Sequence, residues 1–465
     1  MAKGLLGDKG SFRRNSLIMS GGALVNVILS LVLYPIVTRI YSTEDMAAYG
    51  IFLSVTTLIA LVSTALYPSG LVIPKLKIEF YAMLKLSLGL GCIGVLFSLV
   101  AVFLFQDVFG WFFQWHFLGM LIYFIPLGVA LEILKDIAIN WNIRNKDFTS
   151  NAASSVVNGG SMRILSIGYG KLIAASSAGL ISAQILSNLF TISTLGVGGM
   201  IKKLKLVFRI DNKDVKRVAK KYDRYPSYLL PSNIFNKYTA DLPIYLLTAY
   251  FAPAITGAFV LASQIIRIPI NVIGSSVASV FLQKANELYH VNPEETRLFA
   301  KQTHYRILFL GTLAFGFLFG FGDITFYIIF GQEWKLAGQF ASILSIFCVF
   351  KLLSGPMARV YRITGKEQYS LYVSISLAVC RTAGIFIGIL SGSYMLAIYY
   401  FVAGNVIGYI INMYLVFKSL KMESIKLVAV SILCVALIFA LFFILRFTLD
   451  HFLSFTNYFM PFEED

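Results

Sequence analysis

The stretch VLASQIIRIPINVIGSSVASV (Val260–Val280) decides the architecture. It is apolar enough, and long enough, to cross a hydrocarbon core about 30 Å thick, which takes about 20 residues of helix. Yet Arg267 stands near its middle. A charge at such a depth costs roughly 2.5–3.5 kcal/mol on insertion scales, so it normally faces a bundle interior or a watery cavity. The stretch therefore reads as a membrane helix with one face turned away from lipid.

Apolar runs of this kind recur along the chain. Of 465 residues, 58% are hydrophobic and 13% charged, more apolar surface than a water-soluble domain of this length needs. Thirteen candidate spans lie near 17–38, 47–72, 81–105, 117–140, 150–168, 172–197, 226–249, 255–281, 304–330, 337–360, 369–390, 394–417 and 426–446. The apolar/polar alternation in runs of about ten that marks a membrane β-barrel is absent. The fold class expected is an all-α polytopic membrane protein. The fifth span is the least apolar, because Asn151, Ser154, Ser155, Asn158 and Ser161 polarise one face, which suits a wet interior. The N-terminal run has no small-residue cleavage site and reads as an uncleaved first span.

The net charge of +16 is explained by topology and not by nucleic acid. With the N-terminus in the cytoplasm, the connections on that side hold 28 Lys and Arg and the opposite side only Arg39, Lys171, Lys335 and Arg446. Such an excess marks the cytoplasmic face. Ten of the 28 lie in the segment 200–224. Cys92, Cys348, Cys380 and Cys434 sit inside apolar runs and read as small buried hydrophobes, and the four histidines show no metal-ligand spacing.

The basic segment divides six spans from seven, and the halves echo each other. In YPIVTRIYSTEDMAAYGIF (Tyr34–Phe52) and LPIYLLTAYFAPAITGAFVL (Leu242–Leu261), Pro35 corresponds to Pro243, Ala48 to Ala258 and Tyr49 to Phe259. WNIRNKDF (Trp141–Phe148) and YRITGKEQ (Tyr361–Gln368) match at one constant offset, and each precedes a span with a deep arginine, Arg163 or Arg381. Two parallel six-span repeats are expected: a bundle over 1–199, a basic linker over 200–224, a second bundle over 225–420, and an extra helix and tail over 421–465. Repeat-built transporters place substrate near the bilayer midplane. Chance likeness between short apolar stretches is the competing explanation.

The deep charges are Glu132, Lys135, Asp136, Arg163, Lys237, Asp241, Arg267, Lys351 and Arg381. Lys237 and Asp241 share a helix face, as do Glu132, Lys135 and Asp136. Lys135 and Asp136 lie toward a helix end, where snorkelling is an equal alternative, and Lys85 is expected to snorkel. Pairing of the carboxylates within their own helices leaves Arg163, Arg267, Lys351 and Arg381 without obvious counter-ions. Surplus cations in a low-dielectric cavity call for water or an anion, and the planar guanidinium fork suits phosphate. Candidate anion-binding residues are thus Arg163, Arg267, Lys351, Arg381 and Lys237, with Asp241 and Glu132 as candidates for proton or ion coupling. The alternative is that the arginines bond backbone carbonyls at helix breaks near Pro269, Gly274, Pro356, Gly384 and Gly388.

No phosphate-binding GxxxxGK[ST] loop is present, so no nucleotide site is expected. No connection is long enough for a soluble catalytic domain. GLGCIG and SGG read as close helix packing. The runs Phe109–Phe117 and Phe447–Phe459 read as interfacial aromatic belts.

The opening RRNSLIMSGGALVNVILSLVLYPIVTRIYSTEDMAAYGIF and the later RITGKEQ resemble the polysaccharide repeat-unit flippases of the Wzx type, O-antigen and capsule translocases of the MOP superfamily, to which the MATE exporters and lipid II flippases also belong. The resemblance spans the first twelve helices. It implies a MATE-like pair of six-helix bundles forming a V-shaped cavity that opens alternately to the two sides. It implies a transporter and not an enzyme, carrying undecaprenyl-pyrophosphate-linked oligosaccharide from the cytoplasmic to the periplasmic leaflet of the bacterial inner membrane. By position, Arg163, Arg267, Lys351 and Arg381 would line the cavity. No cofactor is implied beyond a proton or sodium gradient; the implied partners are lipid-linked oligosaccharide, membrane lipid, and the polymerase and chain-length regulator of the pathway. The thirteenth span departs from the twelve-helix core. Rival readings are a lipid II flippase, a multidrug exporter, or, with its expected large external loops missing, a polysaccharide polymerase or ligase.

Overall fold

The computed structural model describes residues 12–453 apart from 114, 290 and 367. The basic N-terminus, the side chains of the Phe109–Phe117 belt, the distal part of the second aromatic run and the acidic tail lie outside the described residues. The helices are α1 (Phe12–Thr38), α2 (Thr43–Ser63), α3 (Lys77–Phe113), α4 (Ile125–Arg144), α5 (Phe148–Leu172), α6 (Ser177–Thr194), α7 (Val197–Phe208), α8 (Asn212–Lys221), α9 (Leu230–Tyr250), α10 (Pro253–Tyr289), α11 (Pro293–Phe330), α12 (Lys335–Ser354), α13 (Gln368–Leu390), α14 (Tyr394–Ser419) and α15 (Ser424–Leu453). Short turns of helix join some of them. The thirteen expected spans correspond to α1–α6 and α9–α15.

Among the described residues, nine helices are long and apolar enough to cross a membrane: α1, α2, α3 and α10–α15. The others, α4, α5, α6 and α9, are of comparable length but more polar. They carry Glu132, Lys135, Asn158, Gln184, Asn188 and Asp241, and the last three of these are buried. Their polarity is spent on neighbouring helices and not on lipid.

Local sequence sets the helix ends. Ser42 and Asp45 of YSTED form a reciprocal capping box that starts α2. Asp147 of NKDF caps α5 by accepting from the Ser150 backbone N–H at 3.1 Å. The second span was expected to run to 72, but α2 stops at Ser63, because Ala65 and Leu66 take positive φ values of 48° and 60°.

The chain forms two compact units, Met1–Tyr238 and Thr239–Asp465. In the first, α2, α3 and α6 pack on α4, and α5 packs on α6. In the second, α10, α11 and α14 pack on α12, and α13 packs on α14. These packings around α4 and α12 are alike in the two units, whereas α1 packs on α5 in the first unit only. The second unit adds α15, which packs on α11 and α14. Arg446 of α15 meets Asp323 of α11 at 3.2 Å, and His304 Nε2 lies 2.7 Å from Ser431 Oγ.

Several expectations are corrected. The 200–224 segment is not an open linker: it holds α7 and α8, which dock on α3. Lys85 does not snorkel; it donates to the Ile210 carbonyl at 2.7 Å and to Asn212 Oδ1 at 3.0 Å. The helices α10 and α13 run unbroken past Pro269 and Gly384, and Arg267 and Arg381 donate to side chains there and not to backbone carbonyls at a helix break. The small residues do serve packing: a Cβ on Gly94 would lie 2.0 Å from Ser63 Oγ, and one on Gly22 would lie 2.8 Å from the Ala152 carbonyl.

Candidate anion site in the C-terminal unit

The site is built on a close helix crossing. Gly384 and Gly388 on α13 face α14, and Gly404 and Gly408 on α14 face α13. A Cβ on Gly404 would lie 2.3 Å from the Cys380 carbonyl oxygen, and one on Gly384 would lie 2.3 Å from that of Tyr400. Small residues four apart let two backbones touch in this way. The touching backbones bring Arg381 of α13 against Asn405 of α14.

Arg381 is buried, 4% exposed. Its Nε donates to Asn405 Oδ1 at 2.8 Å, Nη2 to the Tyr409 hydroxyl at 3.0 Å, and Nη1 to Thr239 Oγ1 at 3.3 Å. The Asn405 amide in turn donates to the Phe401 carbonyl at 2.9 Å, which turns its oxygen toward the guanidinium. Every hydrogen-bond acceptor of Arg381 here is neutral. The charge is held in place but not cancelled, an arrangement unfavourable at this depth unless an anion supplies the balance.

Arg381 borders a cavity of about 50 Å³ together with Arg267 of α10 and Lys351 of α12. Phe259, Leu344 and Phe347 form apolar walls, and the Phe347 ring stacks on Tyr409 at 6.2 Å between centroids. Lys351 is half-buried and has no hydrogen-bond or ion-pair partner among the described residues. Arg267 is more open, and its Nη2 lies 3.5 Å from Asp241 Oδ1. Arg267 is therefore not without a carboxylate, as the sequence reading held. That reading considered Asp241 only along its own helix, and the contact across to α10 has no one-helix spacing. Three cations meet one carboxylate here.

The structure thus gathers Arg267, Lys351 and Arg381 into one cavity. Arg163 belongs to the other unit. It bonds the Gly159 carbonyl one turn back at 2.5 Å and lies over the Tyr34 ring at 4.9 Å from its centroid, the backbone-carbonyl alternative for this residue. Its Nε is buried without a partner. Lys237 sits on α9, one turn before Asp241.

In the first unit Glu132 accepts from Lys135 at 2.7 Å and from Asn188 at 3.0 Å. A polar lattice continues from Asn188 to Gln184, Asn158 and Tyr49. Glu132 and Lys135 satisfy each other there. Asp136 accepts from Asn140 at 3.0 Å.

Asn405, Tyr409 and Thr239 were missed by sequence reasoning, which looked only at ionisable residues. The available signal was polar Asn405 beside Gly404 and Gly408 in an otherwise apolar span.

No family model matches the chain. The succinoglycan biosynthesis transport protein ExoT of Rhizobium meliloti (strain 1021) is 21% identical over 432 residues, covering 91% of this chain and 84% of that protein. An inward-facing MATE-family multidrug resistance transporter of the MOP superfamily superposes with a TM-score of 0.66 at 14% identity, covering 86% of this chain and 98% of the other. The lipid II flippase MurJ, inward closed, gives 0.65 at 13% identity, covering 92% and 98%. The chain therefore has the fold of these two transporters, and over most of its length its sequence is similar to that of the succinoglycan transport protein.

Proposed function

We propose that the chain is a flippase that carries undecaprenyl-pyrophosphate-linked oligosaccharide repeat units from the cytoplasmic to the periplasmic leaflet of a bacterial inner membrane. The observation that carries this reading is Arg381, buried among neutral acceptors beside Lys351 and Arg267. A guanidinium kept charged and oriented is a receptor for a phosphate oxygen. About 50 Å³ is room for a few waters or one phosphate-sized group, and not for a sugar chain. The cavity would hold the headgroup phosphate while the oligosaccharide lies elsewhere. The sequence relation to a succinoglycan transport protein supports a saccharide cargo. The Lys/Arg distribution supports a cytoplasmic N-terminus. Asp241, beside Arg267, would be the carboxylate through which a proton or sodium gradient couples; Glu132, already bonded to Lys135 and Asn188, is the second candidate.

The reading is tested in cells lacking their own repeat-unit flippase. Wild type should restore surface polysaccharide, and membrane-inserted Arg267→Ala should not. Full export by that variant would overturn the role. Rescue of a lipid II flippase depletion strain would reassign the cargo, and resistance to cationic dyes would point to drug export.

A further inference from the structure

The largest cluster of basic residues lies outside the cavity. The segment 197–221, α7 and α8, carries nine Lys and Arg against two Asp. After α6 the backbone turns at Gly196, φ +69°, and α7 departs at 63°. Spans tilt on average about 20° from the bilayer normal, so a helix turned this far runs closer to the plane of the interface.

The faces of α7 differ. Met200 and Val207 are buried against the protein, and Lys203 reaches over the Trp141 ring at 5.3 Å. The outer side interleaves apolar and basic groups: exposed Ile201, Lys205 and Phe208 follow at helical spacing, and Phe208 is 72% exposed. In α8, Val218 is buried, Lys221 bonds Glu79 at 2.5 Å and Arg217 bonds Asp214 at 2.5 Å. The two helices are therefore fixed to the unit. Lys202, Lys205, Arg209, Lys213, Lys216 and Lys220 are exposed and have no side-chain partner among the described residues.

We propose that the outer surface of α7 and α8 docks on the anionic phospholipid headgroups of the protein's own membrane. Phe208 and Ile201 enter the headgroup boundary, and the unpartnered lysines meet the phosphates. An interfacial amphipathic helix has this composition, and juxtamembrane clusters of four to eight basic residues select anionic lipid. Nucleic acid would use the lysines but leave the exposed phenylalanine and isoleucine unsatisfied.

The test uses the full chain in detergent, with native mass spectrometry reading retained phosphatidylglycerol and phosphatidylcholine. Wild type should retain phosphatidylglycerol in preference. The triple variant Lys202→Gln, Lys205→Gln, Arg209→Gln should lose at least about tenfold in phosphatidylglycerol affinity, with an unchanged unfolding temperature, since none of the three has a protein partner. Phe208→Ser should weaken retention of both lipids. Wild-type retention by the triple variant would overturn the proposal, as would complete displacement of phosphatidylglycerol by a DNA oligonucleotide.

Discussion

Asn405 Oδ1 accepts a hydrogen bond from Arg381 Nε at 2.8 Å, and the same side chain's amide is tied to the Phe401 carbonyl at 2.9 Å. The asparagine orients the arginine without neutralising it. Replacing it with aspartate keeps the shape and adds a negative charge. Asn405→Asp should leave the protein inserted but lower export at least about tenfold, because a new ion pair competes with the anionic cargo. Asn405→Ala should instead strand a buried N–H, at a cost of about 1–3 kcal/mol in stability. Export assays beside detergent unfolding curves separate the two effects.

The surroundings of two glycines, one at the crossing of α13 and α14 and one in α5, predict opposite signs for one substitution. A Cβ at Gly404 would meet the Cys380 carbonyl at 2.3 Å, and backbone cannot rotate aside. Gly404→Ala should destabilise by about 1–3 kcal/mol, the range for overpacking. Gly168, inside α5, has nothing within 4 Å of a built Cβ. Gly168→Ala should raise stability by about 0.5–1 kcal/mol through the helix preference alone. Unfolding temperatures of the two variants check the pair.

The crossing of α13 and α14 shows what one sequence could and could not disclose. The order of the helices and the cap motifs YSTED and NKDF are local signals, and they were legible, while of the thirteen spans expected nine are long and apolar enough to cross a membrane among the described residues. The depth of Arg267, Lys351 and Arg381 was legible too, since each interrupts an apolar run. Their partners were not. Asp241 looked like the neighbour of Lys237, because spacing along one helix is visible and a crossing between helices is not. Arg163 resembled Arg381 by its place in the repeat, yet it rests on its own helix carbonyl and on Tyr34. Repeat position constrains the backbone, and the second unit has Asn405 where it can turn the side chain.

The pair of Lys221 and Glu79 fastens α8 to α3. The hydrogen bond that Lys221 donates to the Glu79 carboxylate raises the Lys221 pKa above its ordinary value. A lysine raised in the folded state stabilises fully below its unfolded pKa of about 10.4, and the contribution fades as pH rises through the higher folded value. Lys221 is exposed, so the effect is local. In hydrogen exchange, residues 212–221 should stay protected across neutral pH and open only in strong alkali. Glu79→Gln should open them at neutral pH, with the spanning helices unchanged.

Lys351 and Arg381 share a cavity but differ in what the protein asks of them. Arg381 holds Asn405, Tyr409 and Thr239, so removing it leaves those groups without their donor. Lys351 has no such partner among the described residues. Its charge works only when an anion is present. Lys351→Gln should therefore weaken binding of a pyrophosphate-bearing lipid about tenfold or more, the loss of one charge-assisted hydrogen bond, while the unfolding temperature stays at the wild-type value. Arg381→Gln should lower both. Isothermal binding and thermal unfolding on the same preparations decide it: a fall in Lys351→Gln stability would mean the lysine is structural, and unchanged binding would remove it from the anion site.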